Sequence, residues 1–279
     1  MASNSVMFVG GPSSGKSNYL FRTWIAIEHG TGKLRKDGLP DELDYLHDGA
    51  SQLLSGNFAP HTSRDVVTTC EIPVSFIGGT SSEKLIVPDV NGEVWNEVYE
   101  RRQWPLAWDS LLDARCGFVL FVRADSPHNV KPLDWVTCER LYRDRNAARS
   151  DVRVPTQVYL VDWLQILRQL VTERSGSACK PRLSVVVTAW DRVQTDAVPE
   201  AYIAREFPLL DQFIRANLHG FEPRCFGVSV VGGDFSDTTF RDGYLNKQPV
   251  TSGYCITRRG RESTRHPDIL EPLYWALGH

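Results

Sequence analysis

The sequence has little net charge and no long apolar run. Its formal net charge is -3 over 279 residues, so it lacks the basic excess with which nucleic-acid-binding proteins hold a polyanion. Its apolar runs have the length of strands, far short of the roughly 20 residues that span a bilayer. No basic segment followed by an apolar stretch opens the sequence, so no signal peptide is expected. These absences predict a cytoplasmic protein without a membrane span, and they make nucleic acid an unlikely partner.

Cysteine patterns that would indicate metal binding or disulfide bonding are also missing. The six cysteines show no CxxC and no Cys/His spacing, so neither a zinc site nor a disulfide framework is predicted. Cys116 lies in an apolar run and is interpreted as a small buried hydrophobic residue. The basic cluster of Arg258, Arg259, Arg261 and Arg265 is interpreted as a solvated loop, with contact to an anionic partner as the alternative.

Apolar periodicity predicts alternating strands and helices. Strands are expected at Ser5–Val9, 66–77, 84–87, 117–122, 183–187 and 225–231, and helices at 18–28, 41–54, 158–170 and 268–277. This alternation is typical of a three-layer α/β sandwich with a mostly parallel central sheet. We expect one domain over residues 1–279. Two long loops, at about 125–155 and 232–266, exceed what such a domain needs and are interpreted as functional insertions or partner surfaces.

A phosphate-binding motif follows the first predicted strand and opens the first predicted helix. The segment matches GxxxxGK[ST] in full and consists of Gly10, Gly11, Pro12, Ser13, Ser14, Gly15, Lys16 and Ser17. Glycines let backbone N–H groups turn inward around phosphate, at a helix N-terminus that favours anions. Lys16 is expected to reach the β- and γ-phosphates and Ser17 to ligate Mg²⁺, with Asn18 as a further nucleotide contact. An accidental Gly/Ser-rich turn is the alternative, which the strand–loop–helix context disfavours.

A carboxylate follows a later apolar strand. Asp89 and Gly92 form a DxxG pattern directly after the strand at 84–87. An aspartate there can orient the water shell of a metal, and the glycine N–H can contact a γ-phosphate. Glu93 follows where a water-orienting side chain often lies. An ordinary first-turn glutamate, favoured by the helix dipole, is the equally weighted alternative.

A triphosphate sensor also needs a hydroxyl from a loop to complete Mg²⁺ coordination. The loop before residue 66 offers Thr62, with Ser63 as the second choice. A turn residue capping the next element is the alternative for either. Arg64 lies close enough in sequence to act as an arginine finger, although a solvated arginine is favoured.

Thr188-Ala189-Trp190-Asp191 ends the strand at 183–187. The carboxylate of Asp191 can accept hydrogen bonds from guanine N1–H and N2–H₂, which adenine cannot supply. Ser229 ends the next strand, where a backbone N–H can meet guanine O6. Thr188, Asp191 and Ser229 are therefore predicted to surround the base.

The order GxxxxGKS, Thr, DxxG, TxxD and a Ser-containing strand end resembles the P-loop GTPases of the translation-factor and Ras-like class. Within that class the sequence is most similar to the bacterial double-GTPase group, whose genes are associated with predicted conflict and defence systems. The resemblance covers 6–277 apart from the two insertions. It implies a small-GTPase-like fold, GTP and GDP as ligands, and a Mg²⁺ ion held by Ser17, Thr62 and Asp89. It also implies that the protein hydrolyses GTP with the help of Lys16, Thr62, Gly92 and Glu93. The resemblance further implies that the protein acts as a molecular switch and has a protein effector or activating partner.

One position departs from the class. The usual [NT]KxD motif has a lysine whose stem covers the base, and Ala189 stands in its place. Trp190 either packs in the core or partly replaces the missing stem. A slow, partner-gated GTPase is the leading interpretation. A hydrolysis-deficient nucleotide-binding scaffold and an ATPase are the alternatives.

Overall fold

A computed structural model describes residues 4–59, 69–79, 81–88, 92–112, 115–132, 154–176, 180–193, 197–247, 249–260 and 262–279. Its strands are β1 (Ser5–Val9), β2 (Leu34–Lys36), β3 (Cys70–Phe76), β4 (Ser82–Val87), β5 (Cys116–Arg123), β6 (Arg182–Thr188), β7 (Glu222–Ser229), β8 (Tyr254–Arg259) and β9 (Glu262–His266). They form one sheet in the order β2-β3-β4-β1-β5-β6-β7-β8-β9. The five central strands from β4 to β7 run parallel, whereas β3 and β8 run antiparallel to their neighbours. The predicted mostly parallel α/β sheet is therefore confirmed, and the carboxyl ends of β1, β5, β6 and β7 meet at one edge.

The helices in the described part of the chain are α1 (Lys16–His29), α2 (Leu43–Leu54), α3 (Glu93–Arg101), α4 (Thr156–Ser175), α5 (Pro199–Glu206), α6 (Pro208–Ala216), α7 (Thr238–Asn246) and α8 (Glu271–Leu277). Short 3₁₀ helices cover Leu106–Leu111, Trp190–Arg192 and Pro249–Thr251. The predicted helices at 18–28, 41–54, 158–170 and 268–277 correspond to α1, α2, α4 and α8.

Helices cover both faces of the sheet. Val6 and Phe8 of β1 lie in a core with α1, α2 and α8, whereas Met7 and Val9 point into a second core with α3 to α6. Successive side chains of a strand point to opposite faces, so a strand buried on both faces must be apolar throughout. This requirement explains the unbroken apolar runs of β1 and β5. The predicted three-layer sandwich is confirmed.

Several short elements gave no usable pattern in the sequence. β2 spans three residues and contains Arg35 and Lys36. An edge strand can carry such charged side chains, so β2 shows no apolar pattern in the sequence. Helices α3, α5, α6 and α7 have nine residues or fewer, so each offers little more than two turns of periodicity. Tertiary packing rather than local pattern specifies them.

The prediction that 232–266 is a loop is wrong. The segment contains α7 and the hairpin β8–β9, which extends the main sheet beyond β7. Arg258 and Arg259 lie on β8 and Arg265 lies on β9, so the basic cluster is not a solvated loop, and Arg261 falls outside the described residues. Arg265 places its guanidinium 3.7 Å from the ring centroid of Tyr254. Of the other segment, 125–155, residues 133–153 lie outside the described residues.

Two further predictions concern the burial of Cys116 and the apolar character of the helices. Cys116 is buried with 3% of its surface exposed, as predicted. None of the described helices combines the length and apolar character that crossing a bilayer requires.

Candidate nucleotide-binding site

Residues 10–17 form the turn between β1 and α1. Gly15 precedes the first residue of α1 with φ at +91°, a left-handed conformation that side chains rarely adopt. A Cβ atom on Gly15 would lie 2.6 Å from Oγ1 of Thr188. Both the backbone conformation and the close approach of β6 therefore require glycine here. The turn directs the N-terminus of α1 toward the carboxyl edge of the sheet, where ligands bind in parallel α/β folds.

The electrostatics of this turn favour an anion. Lys16 is 3% exposed, and its Nζ donates to the carbonyl oxygens of Gly10 at 2.6 Å and Gly11 at 3.5 Å. The first turn of α1 contains no acidic residue, and no side chain caps it. The hydroxyl of Ser14 is buried with no hydrogen-bond partner among the described residues. A buried ammonium, a helix N-terminus and an unpartnered hydroxyl together suit a group with several negative oxygens.

Thr188 joins the turn to β6. Its hydroxyl donates to the carbonyl of Ser14 at 2.7 Å, and its own carbonyl accepts the N–H of Ala124 at 2.9 Å. The sequence predicted Thr188 as a nucleotide contact. The structure gives its hydroxyl a second task, because it fixes the phosphate-binding turn relative to the ends of β5 and β6.

Gly92 lies against the same turn from the other side. It precedes α3 with φ at +84°, and a Cβ atom on it would lie 2.4 Å from the carbonyl carbon of Gly11 and 2.6 Å from the nitrogen of Pro12. The N-terminus of α3 therefore contacts the turn directly. Glu93 is the first residue of α3, a placement compatible with both interpretations of its role.

Gly92→Ala is expected to destabilise the fold by about 2–4 kcal/mol, because left-handed strain and a backbone clash add. Gly78→Ala is the matched control, since Gly78 has φ at +80° and nothing within 4 Å of its Cβ position. The control should lose only the strain, about 1–2 kcal/mol. Chemical denaturation of both variants gives the comparison. Equal losses would mean that the approach of Gly92 to Gly11 contributes nothing.

A cavity of about 160 Å³, called here the Asp191 cavity, adjoins the turn at the carboxyl ends of β5, β6 and β7. Five of the residues predicted to contact nucleotide line it: Gly15, Asn18, Thr188, Asp191 and Ser229. The Ser229 hydroxyl donates to Oδ1 of Asp191 at 2.5 Å and accepts the N–H of Gly232 at 3.0 Å. Since one oxygen of Asp191 is held by Ser229, the carboxylate is oriented before any ligand binds.

Trp190 packs in the core. Its side chain is 5% exposed and lies over Gly227, where a Cβ atom would come within 2.3 Å of the indole. The ring of Tyr202 meets it edge-on at a centroid distance of 5.6 Å. Of the two alternatives for Trp190, packing in the core is confirmed.

Phe58 and Ala59 were not among the residues predicted to contact nucleotide. Phe58 is 39% exposed and lines the Asp191 cavity, and its ring centroid lies 4.8 Å from that of Phe235. The N–H of Ala59 donates to Oδ1 of Asn18 at 3.1 Å, which ties the loop after α2 to α1. Both residues belong to the loop at 56–63 that was predicted to carry Thr62, so an aromatic residue within that loop was an available signal.

Two arginines of the Asp191 cavity were also missed. Arg192 forms an ion pair with Asp234, with Nη2 and Oδ2 2.7 Å apart. The N–H of Ser236 and then Arg192 hold the pKa of the Asp234 carboxyl below its usual range. Arg123 ends β5 and lines both the Asp191 cavity and a neighbouring cavity of about 300 Å³ beside 11–14. The sequence did carry a signal for Arg123, because a charged residue at the carboxyl end of a buried parallel strand is a common ligand position.

The predicted Mg²⁺ ligands can be placed only in part. Ser17 is the second residue of α1, whereas Thr62 and Asp89, with Ser63 and Arg64, fall outside the described residues. Among the described residues, no three His, Cys, Asp or Glu side chains form a group that could hold a metal ion. That finding is compatible with Mg²⁺ bound by a hydroxyl and phosphate oxygens, since Mg²⁺ rarely has an all-protein cage.

The sheet, the glycine-rich turn and the N-terminus of α1 define a P-loop nucleotide-binding protein. The model of one family, described as Double-GTPase 1, matches residues 7–276. The chain belongs to this family, as the sequence resemblance indicated.

Solved structures give more distant likenesses. The chain is 15% identical to a chain of the signal recognition particle receptor SRb-GTP/SRX complex from Chaetomium thermophilum, covering 86% of this chain and 97% of that one, with a TM-score of 0.43. It is 14% identical to the Ski7 GTPase-like domain of S. cerevisiae bound to GDP and inorganic phosphate, covering 89% and 51%, with a TM-score of 0.43. The same domain bound to GTP gives 15% identity, the same coverages and a TM-score of 0.41. No protein of curated function matches the chain.

Proposed function

We propose that this protein binds GTP with Mg²⁺, hydrolyses it slowly and acts as a nucleotide-dependent switch. The observation that carries the proposal is that the phosphate-binding turn and the Asp191 cavity adjoin each other. Thr188 bonds to the phosphate-binding turn and lines the same cavity as Asp191, so groups suited to phosphate and to guanine adjoin each other. Membership of the Double-GTPase 1 family supports guanine as the base.

The proposed phosphate contacts come from residues 10–18. Lys16 donates to carbonyl oxygens of its own loop and can exchange those bonds for stronger ones to phosphate oxygens. Backbone N–H groups of the turn and the dipole of α1 would add to this attraction. Asn18 supports the site indirectly as well, by holding Ala59 at the mouth of the cavity.

The hydroxyl of Ser17, the second residue of α1, fits a magnesium ligand because Mg²⁺ prefers oxygen donors. Ser17, Thr62 and Asp89 would hold the ion. When bound, Mg²⁺ neutralises charge that develops on the phosphates.

For hydrolysis we propose that the Gly92 N–H contacts the γ-phosphate and that Glu93 orients the attacking water. The contact between Gly92 and Gly11 supports this assignment, since it brings the N-terminus of α3 to the turn. Thr62 would complete the site from the loop before β3. Hydrolysis is expected to be slow without a partner, because P-loop GTPases often receive a transition-state arginine from outside the site.

We further propose that residues 1–279 form one domain, since all nine strands in the described ranges belong to one sheet. An effector or activating protein and a role in bacterial defence are further proposals. They rest on the family resemblance and on the two segments, 125–155 and 232–266, interpreted as partner surfaces.

Calorimetry with GTP, GDP, ATP and ADP, each with Mg²⁺ and with EDTA, tests the binding. We expect GDP to bind more tightly than ADP, and Mg²⁺ to strengthen GTP binding. Equal affinities for GDP and ADP would instead support the ATPase alternative. Phosphate release in a single turnover then tests hydrolysis, with the Lys16→Ala variant as the blank for contaminating activity. Tight GTP binding without phosphate release above that blank would support the scaffold.

A further inference from the structure

One wall of the Asp191 cavity is formed by a small side chain. Ala189 offers only a methyl group where the class has a lysine stem, and Trp190 is committed to the core. A planar base needs apolar or planar cover on its faces, because stacking excludes water and fixes the plane in which hydrogen bonds form. Some other side chain must cover that face.

Arg123 stands in the right place for that task. It is the Cα partner of Thr188 in the parallel pairing of β5 with β6, so its side chain begins one strand away from Ala189. It lines the Asp191 cavity together with Asp191 and Ser229. The backbone there is fixed by two hydrogen bonds, from Asn129 Nδ2 to the Arg123 carbonyl at 2.8 Å and from the Ala124 N–H to Thr188 at 2.9 Å.

The charge of Arg123 is uncommitted within the described part of the chain. Arg192, the other arginine of the cavity, is held by Asp234 at 2.7 Å. The Arg123 guanidinium has no hydrogen bond and no ion pair with any described residue. The other seven residues of β5 are buried, so an arginine at its end is the single departure from an apolar strand. A strand end directed at a ligand site accounts for that departure.

We propose that Arg123 stacks its guanidinium on one face of the bound base and so replaces the lysine stem that Ala189 lacks. The inference rests on the proposed binding of a guanine nucleotide. A guanidinium is planar, weakly hydrated and attracted to π faces, so it can cover a base as a lysine stem does and add an electrostatic contribution. Stacking of this kind tolerates any base. Arg123 therefore sets affinity, and Asp191 sets the choice of base.

The test compares nucleotides with a ligand that has no base. Arg123→Ala should weaken GDP binding about tenfold, the middle of the range for such contacts. Binding of inorganic tripolyphosphate should stay within twofold, because the contact is to the base. The ratio of GDP to IDP affinity should also stay constant, since that ratio reports the N2 amino group read by Asp191. Arg258→Ala, on the exposed end of β8, is the control and should change none of these values.

Two further variants make the comparison decisive. Arg123→Ala combined with Ala189→Lys should recover most of the lost GDP affinity, because it restores a stem over the base. Ala189 already has φ at +54° and carries a Cβ atom, so lysine adds no new class of backbone strain. Arg123→Lys, which keeps charge and stem but loses the plane, should fall between wild type and Arg123→Ala.

Three results would overturn the inference. Unchanged GDP affinity in Arg123→Ala would show that Arg123 does not contact the nucleotide. An equal loss of affinity for tripolyphosphate would show that Arg123 contacts the phosphates and not the base. Failure of Ala189→Lys to rescue, in a variant that unfolds at the wild-type temperature, would show that cover of this face is not what was lost. Failure of wild type to bind GDP is a separate outcome, which contradicts the proposed function itself.

Discussion

Lys16→Ala is expected to abolish measurable GTP binding while the fold persists. The Lys16 ammonium is buried in the turn, where it donates hydrogen bonds to the carbonyls of Gly10 and Gly11. Its loss removes charge-assisted contacts to phosphate worth about 2–5 kcal/mol, which is well over tenfold in affinity. Alanine is also favourable in the first turn of α1. Calorimetric titration with GTP and Mg²⁺ measures the effect.

Thermal unfolding without nucleotide separates loss of binding from loss of fold. Lys16→Met is a second variant that keeps the apolar stem in its buried place, should the alanine variant unfold. Lys180→Ala is the control for lysine replacement, because Lys180 is exposed and precedes β6 at the opposite edge of the sheet. A Lys16→Ala protein that bound GTP within a few-fold of wild type would show that residues 10–17 are not a phosphate site.

The sequence predicted best those features that are continuous along the chain. The phosphate-binding turn is one unbroken motif between a strand and a helix, and the buried strands β1, β5 and β6 are apolar on both faces because helices cover the sheet twice. Such features depend on neighbouring residues alone. The fold class followed from their alternation.

Features that depend on pairing between distant segments were not predicted. The hairpin β8–β9 is held by its pairing with β7, and its composition of Gly, Thr and Arg indicated a loop. The hydrogen bonds from Thr188 to Ser14 and from Ser229 to Asp191 join residues that are 174 and 38 positions apart. The place of Arg123 beside Ala189 depends in the same way on the register of β5 against β6.

Asp191→Asn is expected to move the preference of the site from guanine to xanthine nucleotides. The carboxylate can accept both N1–H and N2–H₂ of guanine, and the amide would instead present a donor toward the 2-position. Xanthine has an oxygen at that position, which can accept. The N2 amino group of guanine would then face the amide donor of asparagine, and both would lack an acceptor. The resulting loss of about 1–3 kcal/mol corresponds to a roughly five- to 150-fold lower affinity for GDP. Competition of GDP and XDP for one labelled nucleotide measures the shift.

The Ser229 hydroxyl makes this test sharper than it would be for an isolated aspartate. It donates to Oδ1 of Asp191 at 2.5 Å, and the amide oxygen of asparagine can accept the same bond. The substituted Nδ2 would therefore be turned toward the base, so the exchange of acceptor for donor occurs where guanine is read. Ser229→Ala is the matched control, because it frees the carboxylate without changing its chemistry. It should weaken GDP binding modestly and leave GDP favoured over XDP. If Asp191→Asn leaves GDP binding untouched, or lowers GDP and XDP alike, then Asp191 does not read guanine and the base must be recognised elsewhere.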